Sequence, residues 1–463
     1  VQSRRDQVQA QAYVMGRLTG ALVGADPDGL ENPHRRMVTG TISGVLIAAL
    51  IVSGFAVFGF VVPGGSAKWK KPGALVLEKE TGSRYIYMGG RLRPVLNYTS
   101  AWMYFGKKPQ VVGVSSKSLH GVAHGQPMGI TGAPDALPTD ASVTDQAWTV
   151  CAPAGSEGMT LTVDRPGTGP SRDVALEPDS AVVVSSGGQS FLLWRSRRLR
   201  LTQPWLPRVL GYDGTPVAMP AAALDSVPFG PEIAPPSITG RGEAGPKIDG
   251  HPSKIGQLFV VRTTGTPDRY YWLRRDGLVE LGPTAYSMIA ADPLSTHAYD
   301  GPVRAIELSP AGLAQLPVSH GAVLPDGVPD TPPRAAQLPP GDAWCTRQTM
   351  ADGRIEIVFG KPVPSGDVGR DTSGGITRTP DTAAAVAVQP GVGGLVTTRA
   401  GLYLLTDAGI KFPIGSKIAG VLGYPPDKAK PIPDRLLAML PTGPPLGTGA
   451  VEGVVQATTT SVD

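Results

Sequence analysis

Between Ile42 and Val62 the chain reads ISGVLIAALIVSGFAVFGFVV, 21 residues without a charged side chain. At 1.5 Å per residue a helix of this length covers about 31 Å, the thickness of a bilayer's hydrocarbon core. A core helix of a soluble protein keeps a polar stripe, and this run is apolar all round. Arg35 and Arg36 precede it, and Pro63-Gly64-Gly65 ends it. We expect one transmembrane helix over 41–63, with its ends at Ile42 and Val62. The run is too long, and too far along the chain, for a cleaved signal peptide. Lys68, Lys70 and Lys71 balance the two arginines, so the basic count does not set the orientation. A long C-terminal domain, however, translocates largely regardless of charge. Gly40 and Gly44 have the spacing that lets helices approach closely.

The tail over 1–40 holds one helical pattern. Val8, Ala12, Met15, Leu18 and Leu22 recur at steps of three and four, with Arg4, Arg5 and Arg17 around them. Asp26-Pro27-Asp28-Gly29 ends the pattern. A single amphipathic stripe of this size does not fold alone, so these residues are expected to dock on a partner protein, with the membrane surface as the alternative.

Beyond the apolar run, 60 glycines and 47 prolines are interspersed with short apolar stretches, the pattern of many short strands and turns. Four stretches resemble one another: Arg84-YIYMGGRLRPVLNYTSAWMYFG, Phe191-LLWRSRRLRLTQPWLPRVLGYD, Arg269-YYWLRRDGLVELGPTAYSMIAAD and Leu402-YLLTDAGIKFPIGSKIAGVLGY. Each reads as strand, turn, strand and short helix. Gly90, Gly277 and Gly409 fall at the turns, and Leu92, Leu199, Leu278 and Ile410 follow them. A second signature, Leu-x-x-apolar, comes later in every copy. It is Leu119 to Val122, Leu224 to Val227, Leu313 to Leu316 and Leu437 to Leu440, with Pro next in the last three and Ala123 in the first. A hairpin unit cannot bury its apolar face alone, so the copies must pack on neighbours or on a central sheet. Val182–Val184, Leu258–Arg262 and Ile355–Phe359 are the candidate central strands.

There are two cysteines, each just after a tryptophan: Trp148-Thr-Val-Cys151 and Trp344-Cys345. They fall between copies one and two and between copies three and four. A bridge between them would close both middle copies, and the chain-entropy model gives such a loop roughly 5 kcal/mol. Two buried free thiols are the alternative. A Cys151–Cys345 disulfide would place the large domain in an oxidising compartment.

Signs of catalysis are few. The sequence has no GxxxxGK[ST], HExxH or GxSxG. His120 and His124 are four apart, but Gly121 and Gly125 make a shared helix face poor and no carboxylate is near. The run Arg195-Ser-Arg-Arg-Leu-Arg200 is either a binding stripe for an anionic partner or a solvated strand face, and Arg274-Arg275 poses the same choice. Tyr85, Tyr87, Tyr270, Tyr271 and Trp272 are either strand core or a glycan platform. A net charge of +4 and the lack of any nucleic-acid motif predict no nucleic-acid partner. No metal and no cofactor are expected.

Tyr85-Ile-Tyr87, then Gly90-Arg-Leu-Arg-Pro-Val-Leu-Asn97-Tyr-Thr-Ser-Ala101, then Gly129-Ile-Thr-Gly-Ala-Pro134 and Trp148-Thr-Val-Cys151, resemble the EccB family of actinobacterial type VII (ESX) secretion systems. Thr131 stands where the family text has Pro. The resemblance implies a non-catalytic structural core subunit of an inner-membrane complex with EccC, EccD and EccE, with EccC as the motor. It implies self-association through a periplasmic domain, a cytoplasmic N-terminus, a mycosin protease as neighbour, and contact with peptidoglycan. Some family members are labelled ATPases. A periplasmic nucleotide hydrolase using ATP is therefore one alternative, and a cell-wall-binding membrane anchor is another.

The expected fold is α+β, mostly β: one N-terminal transmembrane helix followed by a periplasmic domain of four degenerate repeats around a central β region. Its divisions are a cytoplasmic tail (1–40), the transmembrane helix (41–63), a linker (64–80) and repeat 1 (81–150). A central region closed by the disulfide, with repeats 2 and 3 (151–345), repeat 4 with core strands (346–446) and a C-terminal tail (447–463) complete it.

Overall fold

The computed structural model describes residues 3–24, 33–61, 67–139, 143–153, 158–164, 174–362, 374–447 and 454–455. The chain forms two compact units. One is Val1–Ser83, Tyr87–Leu92 and Val111–Ala123; the other is Arg84–Ile86, Arg93–Gln110 and His124–Asp463.

The first unit begins with helix α1 (Arg4–Gly24) and helix α2 (Pro33–Val61). Within α2, Met37–Phe58 is long and apolar enough to cross a membrane. The helix starts earlier than the uncharged run, at Pro33, because the fixed φ of proline suits the first helical position. Ile42, the expected membrane boundary, lies inside α2, which extends toward the N-terminus beyond it. Val62 lies outside the described residues. Within 64–80, expected as a linker, the described residues begin at Ala67. A 3-10 turn over Ala67–Lys70 leads into the strand Ala74–Glu78, whose Ala74, Leu75 and Val76 are buried.

The large domain contains four sheets of the same strand order, third–second–first–fourth. In repeat 1 the strands are Ala74–Glu78, Arg84–Met88, Arg91–Pro94 and Gln110–Val114. In repeat 2 they are Ser180–Ser186, Gln189–Trp194, Arg197–Leu201 and Val217–Ala218. Repeat 3 has Leu258–Val261, Arg269–Arg274, Gly277–Leu281 and Ile306–Glu307; repeat 4 has Gly394–Thr398, Gly401–Leu405, Lys411–Pro413 and Lys430–Pro431. In repeats 2 to 4 the first three strands run antiparallel, and the fourth lies parallel to the first. Each repeat therefore starts one strand before the recognisable text. Val182–Val184 and Leu258–Val261 are first strands of repeats 2 and 3, not central strands. Their continuous apolar runs come from burial on both faces of the strand: Val182 and Val184 join the core of the central sheet and Val183 the rest of repeat 2, while Phe259 and Val261 enter one cluster of repeat 3 and Leu258 another.

The second signature has a backbone cause. It ends a short helix (Ser116–Leu119, Ala221–Asp225, Pro310–Gln315 or Asp434–Ala438), after which the chain returns along the third strand. The residue after the signature, Ala123, Pro228, Pro317 or Pro441, accepts a hydrogen bond from the amide of Leu92, Arg198, Leu278 or Lys411. Proline suits this place because only its carbonyl is needed.

The central sheet has the order Ala385–Val388, Thr160–Asp164, Ala147–Pro153, Ala343–Thr349, Ile355–Gly360, Val174–Ala175. Ile355–Phe359 does belong there. Side chains alternate between faces. One face carries Trp148, Val150, Leu161, Val163, Trp344 and Ile357, and packs in one apolar cluster with residues of repeats 2 and 4. Cys151 and Cys345 point to the other face, with Ala343 and Val358. Within 447–463, the described Val454–Val455 pairs in parallel with Gly129–Ile130.

Candidate assembly surfaces

The disulfide is formed. Cys151 and Cys345 stand directly opposite in the antiparallel pair of central strands, with Cα atoms 4.0 Å apart. Trp148 and Trp344 anchor the same two strands from the other face, both essentially unexposed.

The two stretches of text that carry the family resemblance most sharply meet in space. Asn97 caps the helix Tyr98–Phe105: its Oδ1 accepts from the Ser100 amide while its Nδ2 donates to the Ile130 carbonyl, 2.8 Å away. Ser100 Oγ accepts from the Ile130 amide, Thr99 Oγ1 donates to the Pro134 carbonyl, and the Tyr98 amide donates to Asp135. Gly129 is required here: its φ is 122°, and a Cβ would fall 2.9 Å from Ser100 Oγ. Asn97-Tyr-Thr-Ser100 and Gly129 to Asp135 thus form one polar clasp, buried at Asn97, Ser100 and Ile130 and open at Asp135. Tyr424 of repeat 4 donates from its hydroxyl to the Pro138 carbonyl just beyond it. The spacing of some thirty residues between the two motifs hid this pairing. The cue in the sequence was the run of small hydrogen-bonding residues in each.

The basic run of repeat 2 is largely consumed by the fold. Arg198 is 6% exposed, bonds Asp225 at 2.6 Å and lies 3.8 Å over the Phe229 ring. Arg200 pairs with Glu232, and Arg197 donates to the Phe229 carbonyl. Arg195 lies 4.5 Å over the Trp194 ring and 4.0 Å from Asp179, at a cleft of about 530 Å³ also lined by Pro329, Pro332 and Arg334. Arg195 and Ser196 hold φ of 46° and 58°, where Gly89 and Gly90 serve repeat 1. In the run Arg274-Arg275-Asp276, Arg275 pairs with Glu243, Arg274 reaches the carbonyls of Gly321 and Ala322, and a hydrogen bond from Ser319 holds the Asp276 carboxyl below its usual range.

Tyr271 and Trp272 are core residues, and Tyr270 stacks on Tyr286 at 3.9 Å. Tyr85 and Tyr87 are half-buried, against His124 and Trp69 respectively. His124 is thus a ring-packing residue, and no group of three metal-ligating side chains occurs among the described residues. At the position of Arg198 in repeat 4 stands Lys411, whose Nζ donates to the Leu437 carbonyl at 2.6 Å; burial pushes its ammonium down to about 8.

In α1, Val8, Ala12, Met15, Leu18 and Leu22 share one face, and Val8, Met15, Leu18 and Leu22 are each more than half exposed. The helix is less amphipathic than the stripe suggests, because exposed Tyr13 falls on the opposite side at 100° per residue. All the large apolar residues of α2 between Met37 and Phe58 are exposed as well.

A helix long and apolar enough to span a membrane, four repeats of one strand order, a disulfide-braced central sheet and signature motifs spent on a clasp define a membrane-anchored structural subunit. The whole chain has known relatives. It is 26% identical to the "ESX-3 secretion system ATPase EccB3" of Mycolicibacterium smegmatis, over 96% of this chain and 89% of that one. The structure "of the periplasmic assembly from the ESX-5 inner membrane complex" is similar with a TM-score of 0.62 at 24% identity, over 87% of this chain and 100% of that one. The "EccB3 dimer from the ESX-3 core complex" gives 0.57 at 24% identity, over 82% and 99%. The chain belongs to the family described as type VII secretion system ESX-1, transport TM domain B, whose model matches residues 2–457.

Proposed function

We propose that this chain is the single-span structural core subunit of an ESX inner-membrane complex that supports protein export. Its N-terminus is cytoplasmic, and its C-terminal domain self-associates on the periplasmic side. EccC-, EccD- and EccE-type subunits are its membrane partners, a mycosin protease is a neighbour, and peptidoglycan is a contact of the repeats. The observation that carries the reading is the family match over residues 2–457 on a chain built as a membrane anchor with a repeat scaffold. The orientation is supported by the Cys151–Cys345 bridge, since disulfides persist in oxidising compartments.

The test is extraction of a tagged full chain in mild detergent, with native size and copurifying proteins read by mass spectrometry. A very large particle containing an EccC-type ATPase is expected. A lone small oligomer, under extraction that preserves known complexes, would overturn the reading. The relatives' printed name favours one second reading, a periplasmic hydrolase of ATP. Hydrolysis by the purified full chain, lost on changing one polar residue while the particle stays intact, would establish it. Binding of purified cell wall by the isolated chain, without complex formation, would favour an anchor.

A further inference from the structure

Charge is distributed unevenly along the chain. Residues 67–139, the first after the membrane helix, hold ten Lys and Arg against three Asp and Glu, whereas the whole chain is only +4. Elsewhere in the large domain cations are mostly spent internally, as in Arg198–Asp225, Arg241–Asp292, Arg269–Glu280 and Arg275–Glu243. Five cations of repeat 1 are not. Lys70, Lys71, Lys79, Arg91 and Lys117 are all exposed, and none makes an ion pair among the described residues. The nearby carboxylates are engaged: Glu80 accepts from the amide and hydroxyl of Ser116, and Glu78 accepts from the Thr81 hydroxyl. Lys70 lies over the ring of the buried Trp69, 5.2 Å from its centroid, which holds the lysine against the fold at the start of repeat 1.

Chain length places this surface. α2 ends at Val61 and the next ordered turn starts at Ala67. Six residue steps extend at most about 20 Å, and the headgroup layer itself takes up several ångströms of that. Lys70 and Lys71 therefore remain close to the surface that α2 crosses. We infer that the basic surface of repeat 1, made by Lys70, Lys71, Lys79, Arg91 and Lys117, binds anionic phospholipid headgroups of the bilayer spanned by α2. The inference needs a membrane helix but holds for either orientation, so it can fail or stand separately from the secretion reading.

The experiment uses the full chain in lipid nanodiscs, with hydrogen exchange read by mass spectrometry. With about a third anionic phosphatidylglycerol, amide exchange over residues 70–123 should slow by roughly tenfold relative to pure phosphatidylcholine. High salt should abolish the difference. The variant Lys70→Gln/Lys71→Gln/Lys79→Gln/Lys117→Gln should lose it, with exchange in repeat 3 unchanged as the control for folding, and the matching Lys→Arg variant should keep it. Equal exchange in the two lipids would overturn the inference. So would persistence of the effect in the Gln variant, or its reproduction by inorganic phosphate in phosphatidylcholine discs.

Discussion

Repeats 2 and 4 lay their sheets on one face of the central sheet and share its core. Val182, Val184, Phe191, Leu193, Leu224 and Val227 of repeat 2 belong to the same cluster as Val396, Leu405, Leu437 and Leu440 of repeat 4. Repeat 3 has identical strand order but keeps clusters of its own, around Phe259, Tyr271 and Leu278 on one side and Leu258, Trp272 and Ile289 on the other. Its Met288 is the residue that enters a cluster of repeat 2. The third strand marks the same division. Repeats 2 and 4 place cations there, the buried Arg198 and the half-buried Lys411, where repeats 1 and 3 have Leu92 and Leu278. Identical topology thus supports two kinds of unit, one that shares a core and one that carries its own.

The strongest test of this division is the bridge. Cys151→Ser with Cys345→Ser should lower stability by roughly 5 kcal/mol in chemical denaturation. Hydrogen exchange should then rise together in the central sheet and in repeats 2 and 4, while Leu258–Val261 keeps its protection. Equal loss in repeat 3 would break the comparison. Trp272→Ala should cost about 4 kcal/mol, confined to repeat 3 by the same readout.

The two cations should differ from each other. Arg198→Ala should cost about 2–3 kcal/mol, chiefly through lost packing on Phe229, because Asp225 is 59% exposed and rehydrates. Lys411 should instead show itself through pH. Its pKa falls from 10.5 to about 8 on folding, so between these values the unfolded chain binds the proton that the folded chain has released. Stability should therefore rise as pH increases from about 8 toward 10, by about 2 kcal/mol once partial exposure is allowed for. Lys411→Met should flatten this rise. The smallest effect is at the outer edge of repeat 4. There Thr377 exchanges two backbone hydrogen bonds with Thr442, whereas the equivalent Phe229 and Val318 are 70% and 66% exposed. Thr377→Pro should cost about 1 kcal/mol and raise exchange at Thr442.

Much of the candidate site was legible because it was local. Gly90 and Gly409 mark turns of positive φ, the Leu-x-x-apolar text marks the short helix and return, and the uncharged run marks α2. The first strand of each repeat was missed or misassigned, since Leu258–Val261 looks the same whether it lies in a hairpin sheet or a central one. The basic run of repeat 2 was ambiguous for a similar reason: Asp225 and Glu232, which pair with Arg198 and Arg200, lie some thirty residues away.

By itself the sequence determined what a few neighbouring residues must do in any fold. Twenty-one uncharged residues need a bilayer, paired glycines need a left-handed turn, and the apolar positions of each hairpin need a cover. The tertiary structure alone decided which cover each hairpin takes. It also aligned Cys151 with Cys345, joined Asn97 to Ile130, and placed Arg198 and Lys411 where two other repeats bury leucine. These pairings span tens to hundreds of residues, so closing them carries an entropic penalty that only the assembled cores offset. No local pattern reports which distant strand will supply the partner.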